Sequence, residues 1–165
     1  LTAALAEGEP DIAPLPTIRL SERVDALRRR TERHAEAHDG PPTVLLAPLG
    51  PAKARSARAT FARNALGVAG FEIESPLRFE SPEEAADRAA EVDAEVVVLC
   101  SANKEYSALA SSLRSALQTH NRDPILVIAG NPSSLPDDLD ADAFVYQGAP
   151  LLDLLETLQE RLGIQ

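Results

Sequence analysis

Two histidines four residues apart, His34 and His38, are the first residues whose spacing could carry chemistry. One helical turn apart, they could share a metal ion. Neither is followed by a ligand-rich segment, so the pair reads as part of a surface helix packed on a neighbour, and no metal site is predicted. His120 falls at a predicted helix end, where a partly cationic imidazole complements the helix dipole. Cys100 ends an apolar run and reads as a small buried filler, with no histidine nearby in sequence to activate its thiol. Lys104 reads as a solvated cation, and Ser133-Ser134 as the cap of a short helix. None of these residues is assigned a catalytic role.

The elements that must hold them follow from the apolar pattern. Leu1–Thr17 has three prolines and three acids with no period, and reads as a linker or extended arm. Ser21 can cap a helix running to about His38, with Val24, Leu27, Thr31 and Ala35 on one face. Arg28–Arg30 then fall on a solvated face. Asp39-Gly40-Pro41-Pro42 stops that helix and marks a boundary, with residues 1–42 upstream and 43–165 as one domain. Beyond it, strands at Thr43–Pro48, Phe71–Glu74, Glu95–Cys100, Pro124–Ala129 and Ala143–Tyr146 alternate with helices. Pro51 opens the first of these helices, with Ala57, Phe61, Ala65 and Ala69 inward and an end at Gly70. Ser81-Pro82-Glu83-Glu84 is a capping box ahead of Ala85, Ala86, Ala89 and Ala90. Tyr106, Leu109, Ala110, Leu113, Ala116 and Leu117 form another face, and leucines 151, 154, 155, 158 and 162 stripe the last helix. Parallel neighbours need crossover helices, so the expected fold is α/β: a doubly wound, flavodoxin-like (Rossmann-like), five-stranded parallel sheet in the order 2-1-3-4-5.

In such a sheet ligands lie beyond the carboxyl ends of the strands, near the switch between the first and third. The turn there, Leu49-Gly50-Pro51-Ala52-Lys53-Ala54-Arg55, lacks the glycines of a dinucleotide fingerprint, and Pro51 removes an amide that a phosphate would want. It is neither a P-loop nor the Ser/Thr-rich turn that wraps flavin phosphate. A phospho-acceptor domain needs acids after the first strand and an Asp ending the third, where this chain has Ala47-Pro48 and Cys100-Ser101. The turn offers no side chain fit for catalysis.

The bulk properties narrow the function classes further. A formal net charge of -10 repels phosphate backbones and anionic lipid, arguing against nucleic-acid or membrane partners. One cysteine forms no internal disulfide, which fits a reducing cytoplasm. The apolar runs are too short to cross a bilayer and the first residues do not read as a signal peptide. With no methionine and Leu1 at its start, the sequence reads as a piece of a longer polypeptide.

From about Ile18 to Leu162 the chain resembles the C-terminal cobalamin-binding domain of methylmalonyl-CoA mutases and related acyl-CoA mutases. The resemblance rests on residues 43–50 (TVLLAPLG), 69–73 (AGFEI), 81–86 (SPEEAA), 97–101 (VVLCS) and the Arg19–Arg23 segment. Family members that hold cobalamin carry Asp-x-His-x-x-Gly after the first strand, with the histidine as lower cobalt ligand. Here Pro51–Ala57 supplies no Asp, His or Gly, and protonated Lys53 or Arg55 cannot replace an imidazole. The family's Ser-x-Leu after the third strand survives only as Ser101 of Ser101-Ala102-Asn103, and its Gly-Gly pair only as Gly130. The resemblance therefore implies a degenerate cofactor site at Pro51, Lys53, Ala54, Arg55, Ala57, Ser101 and Gly130, with no cofactor bound by this domain.

That departure, with the Leu49-Gly50-Pro51 turn, is similar to the small (beta) subunit of heterodimeric mutases. It implies a large (alpha) subunit as partner, adenosylcobalamin in the holoenzyme, methylmalonyl-CoA/succinyl-CoA isomerisation on the other chain, and a barrel domain upstream of residues 1–42. Two other readings stay open: a corrinoid-binding domain without a histidine ligand, and an unrelated flavodoxin-like interaction module.

Overall fold

The computed structural model describes residues 16–165, with side chains from Arg19 onward. The expected arm lies outside these residues except for Pro16 and Thr17, which open the first helix. Ten principal elements follow in the order α1 (Pro16–Ala37), β1 (Thr43–Pro48), α2 (Ala52–Gly67), β2 (Glu72–Glu74), α3 (Pro82–Glu91), β3 (Val96–Cys100), α4 (Tyr106–Thr119), β4 (Ile125–Ala129), β5 (Ala143–Val145) and α5 (Leu151–Arg161). The strands form one parallel sheet in the order β2-β1-β3-β4-β5, as the alternation of elements predicted. Strand ends differ from the sequence reading by a residue: Phe71, Glu95, Pro124 and Tyr146 lie just outside the strands, although Glu95 still bonds to Thr43 and Ile125.

Successive side chains of a strand point to opposite faces, and both faces of this sheet are covered. Val44, Leu46, Val96, Val98 and Val127 pack with α2, α5 and Leu27 of α1 on one side. Leu45, Val97, Leu99, Leu126 and Ile128 pack with α3 and α4 on the other. On that second side the capping box forms as expected: the Glu84 amide donates to Ser81 Oγ (3.2 Å), and Glu84 Oε2 accepts from the Glu80 amide (2.9 Å). Alanines 85, 86 and 89 are buried beneath it, while Ala90 is only half-buried.

Several expectations about the other side need correction. Ser21 is not a cap: α1 begins at Pro16, whose fixed φ suits the first helical position, and Ser21 lies inside the helix. Arg28 and Arg30 are not simply solvated. Arg28 Nε donates to the Val68 carbonyl (3.0 Å) and Arg30 Nη1 to Gln159 Oε1 (3.3 Å), while Arg29 stays exposed. Buried Gln159 in turn donates to the Leu27 carbonyl (2.8 Å) and Thr31 Oγ1 (3.0 Å), tying α1 to α5. The inward face of α2 is Ala59, Ala62, Ala65 and Leu66, with Ala57 exposed and Phe61 half-buried. The helix ends at Gly67, and Gly70, at φ +83°, turns the chain into β2.

Candidate functional site

Because β1 and β3 are neighbours while their chains leave in opposite directions, to β2 and to β4, their carboxyl ends open a crevice. Its rim is the turn from β1 into α2. The Leu49 amide donates to the Cys100 carbonyl (3.0 Å), closing the two strand ends together. Gly50 follows at φ +80°, and a Cβ built there would stand 2.6 Å from Ser101 Oγ, so both conformation and space demand glycine. Pro51 then precedes α2 in extended geometry with no side-chain cap.

The floor of the crevice is filled by the chain itself. Arg58 reaches across from α2: its Nη1 donates to Tyr106 Oη (3.0 Å) and to the Ala129 carbonyl (3.2 Å), and its Nη2 to Asn103 Oδ1 (2.7 Å). The guanidinium carbon lies 5.4 Å from the centre of the Tyr106 ring, in cation–π range. Tyr106 is fully buried; its hydroxyl donates to the Ala129 carbonyl and accepts from the Ser101 amide (3.0 Å). Burial pushes its phenol pKa up, against the opposing pull of Arg58 and the Ser101 amide. One side chain from α4 and one from α2 thus stitch the ends of β3 and β4 together.

The predicted site residues distribute around this plug. Lys53 and Ala57 are exposed on α2 and Ala54 is half-buried. Arg55 folds back, donating from Nη1 to the Gly50 carbonyl (2.7 Å). Ser101 has no exposure, and its Oγ has no hydrogen-bond partner. Gly130 lies against the plug: a Cβ there would come within 3.2 Å of both Arg58 Nη1 and Tyr106 Cε2. The structure therefore brings Ser101 and Gly130 together beneath Arg58 and leaves Lys53 and Ala57 on the rim.

Arg58 escaped the sequence reading because apolar periodicity does not register a cation.

The remaining candidates are structural. Cys100 is buried, donates to the Val98 carbonyl (3.5 Å), and has its thiol pushed up to about 12 by burial, with Arg58 pulling weakly the other way. Lys104 is exposed, as expected. His34 and His38 stack with ring centroids 4.0 Å apart, and among the described residues no cluster of potential ligands could hold a metal. His120 closes α4 as predicted and pairs with Asp87 (2.7 Å). Ser133 and Ser134 lie within a short 3-10 turn that Asn131 caps, because its Oδ1 reaches the Ser133 amide (3.0 Å). No described helix is long and apolar enough to cross a membrane.

Comparison with known proteins supplies the relationship. No family model matches the chain. It is 34% identical over 99% of its length to a methylmalonyl-CoA mutase small subunit from Streptomyces virginiae, and 32% over 98% to one from Porphyromonas gingivalis. The chain is a homologue of methylmalonyl-CoA mutase small subunits. It spans 26% of the length of each of these relatives. A probable methylmalonyl-CoA mutase large subunit from Mycobacterium bovis matches more weakly, at 30% identity over 85% of the chain. A solved cobalamin-binding protein from Desulfitobacterium hafniense DCB-2 shares the fold, with a TM-score of 0.51 at 19% identity over 86% of this chain and 70% of that one.

Cobalamin fits this crevice poorly. The first turn carries no histidine, and all three histidines of the sequence lie elsewhere: His34 and His38 end the approach to β1, and His120 ends α4, at the amino end of the strands. Ser101 and Glu105 lie against Gly50 of the turn, and Arg58 and Tyr106 lie against Gly130. The turn offers no imidazole for a cobalt ion, and Arg58 with Tyr106 bridges the neighbouring strand ends.

Proposed function

We propose that the chain is the non-catalytic, cobalamin-binding-like domain of a heterodimeric methylmalonyl-CoA mutase small subunit, with residues 43–165 as that domain and residues 1–42 joining it to an upstream barrel domain. The large subunit holds adenosylcobalamin and interconverts methylmalonyl-CoA and succinyl-CoA in the cytoplasm. The cofactor supplies radical chemistry there. This domain contributes to structure and assembly with the large subunit.

The observation that carries the reading is the Arg58–Tyr106 plug. A histidine-ligated corrinoid needs an imidazole at the first turn and open ends of β3 and β4, whereas this turn has no histidine and Arg58 and Tyr106 bond to each other and to the backbone across those ends. The first turn, Pro51–Ala57, has no Asp, His or Gly, which supports it. The small-subunit relatives, aligned over nearly the whole chain, support a two-subunit complex.

Titrating the chain with adenosylcobalamin tests the cofactor half. The expected result is no saturable change in the visible spectrum, and a tight, saturable one overturns it. Gel filtration of the complete small subunit with its large subunit tests the assembly half. One co-eluting complex is expected, and separate elution at micromolar concentration overturns the heterodimer.

A further inference from the structure

Beside Arg58, between α2 and the ends of β4 and β5, an open cleft of about 350 Å³ remains, walled by Ala57, Phe61 and Val145 and rimmed by Asn131, Tyr146 and Gln147. We propose that this cleft binds a small organic oxyanion, a carboxylate or phosphate carried on an apolar body.

Charge sets the cleft apart. Three other concavities each carry a carboxylate: Glu32 in one, Glu156 and Glu160 in another, Asp153 in a third. In a chain with 26 acidic residues, this cleft is lined by none. Its cation has no carboxylate partner either. A guanidinium carries five N–H donors. Arg58 commits three, to Tyr106 Oη, the Ala129 carbonyl and Asn103 Oδ1. Nε–H and one Nη2–H remain open, on a head held in place by the other three. A fixed guanidinium with unused donors favours carboxylate or phosphate over a neutral guest, since charge-assisted bonds are about twice as strong as neutral ones.

The rim adds polar groups of its own. Asn131 uses only Oδ1, in its cap, leaving its amide N–H₂ open, and the Tyr146 hydroxyl and Gln147 amide make no hydrogen bond with other described residues. Phe61 and Val145 give the apolar wall against which the body of the ligand packs. A cleft of this volume, mostly apolar with a few convergent polar groups, sits at the lower end of the range for small-molecule sites.

The inference rests on the crevice being closed to corrinoid, and its test separates the two. Backbone NMR shifts of the isotopically labelled chain are followed on adding benzoate, phenyl phosphate, inorganic phosphate and neutral benzamide. Saturable shifts at Gly130, Asn131 and Tyr146 are expected with benzoate or phenyl phosphate, the better of the two identifying the anion. Benzamide should bind at least about tenfold more weakly. Gln147→Glu, which sets a carboxylate on the exposed rim and leaves the bonds of Arg58 intact, should cost a similar factor. Arg58→Lys should abolish the preference for anions while circular dichroism checks the fold. Equal binding of benzamide, equal binding of inorganic and phenyl phosphate, or no saturable shift with either organic anion overturns the proposal. Adenosylcobalamin displacing the bound anion would overturn the cofactor-free reading itself. A chain that binds neither leaves that reading standing and removes only this one.

Discussion

At the amino end of the strands, Arg114 meets Asp123, Asp140 and Asp142 at 3.1–3.3 Å, Asp142 also meets Arg161, and Arg122 pairs with Asp93. At the carboxyl end, Lys53, Arg55 and Arg58 meet no carboxylate; their bonds run to backbone carbonyls, an amide and a phenol. The amino end is neutralised by its own acids, while at the carboxyl end Arg55 and Arg58 bond only uncharged groups and Arg78 pairs with Glu80 at 3.0 Å. The amino end reads as a clamp for stability. At the carboxyl end, where a parallel sheet places its ligands, Arg58 and Tyr106 tie the ends of β3 and β4 together.

The largest expected effect breaks the carboxyl end. Tyr106→Ala removes a fully buried ring and three hydrogen bonds, and should cost about 3–5 kcal/mol in urea unfolding. Tyr106→Phe keeps the ring but strands the buried Ser101 amide, for about 1–3 kcal/mol. A loss below that range for both variants would make the plug incidental.

The amino end comes next. Asp142 accepts from the Leu126 amide at 2.8 Å, so Asp142→Ala orphans a strand amide and should cost about 1–3 kcal/mol. Burial disfavours the Asp142 carboxylate, but the Leu126 amide and Arg114 outweigh it and hold its pKa below the usual range. A depressed folded pKa gives stability that is complete above the unfolded value, about 3.9, and is lost as pH falls through the folded one. Denaturation midpoints of wild type and Asp142→Ala should therefore converge in acid. Parallel curves down to pH 2 would show that the carboxylate charge contributes nothing.

The turn gives a third comparison. Gly50→Ala combines a left-handed φ with a clash against Ser101 Oγ and should cost about 1–3 kcal/mol. In a Ser101→Ala background the clash disappears, so the cost should shrink by about 0.5 kcal/mol or more. Strict additivity would mean that backbone strain alone accounts for it.

Cys100 probes the same end by chemistry. Its folded pKa lies above the unfolded one, about 8.5, so stability is complete below that value and declines as pH rises toward 12. Below pH 8 the native thiol should react with iodoacetamide only as fast as the chain unfolds. Rapid labelling of folded protein would contradict its burial. Smallest of all, Lys53→Ala should change stability by less than about 0.5 kcal/mol, since Lys53 is exposed and unpaired.

The sheet was legible in the sequence because burial on both faces forces continuous apolar runs, and Val96–Cys100 and Ile125–Ala129 have no other use. The Ser81 cap was legible because its chemistry is local. Helix faces were less so. In α2, alanines occur on several sides, so the stripe through Ala57 and Phe61 looked as good as the true one through Ala59, Ala62 and Leu66. The start of α1 was misread because Ser21 is a strong cap type while Pro16 is an equally good first residue. At the site, the absence of a ligand in Pro51–Ala57 could be read directly. What replaced it could not: Arg58 and Tyr106 are 48 positions apart and meet only once the sheet orders their helices.

The two outermost strands, β2 and β5, are three residues each, whereas the strands they flank have five or six. A short rim exposes few unpaired amides and carbonyls, and β2 sets Glu72 and Glu74 along it. A second copy adding its own strand there would gain few bonds and bring like charges together. The sheet thus carries a built-in stop against growing edge to edge, so a chain at high concentration should stay free of fibrils and meet its partners through helices and loops.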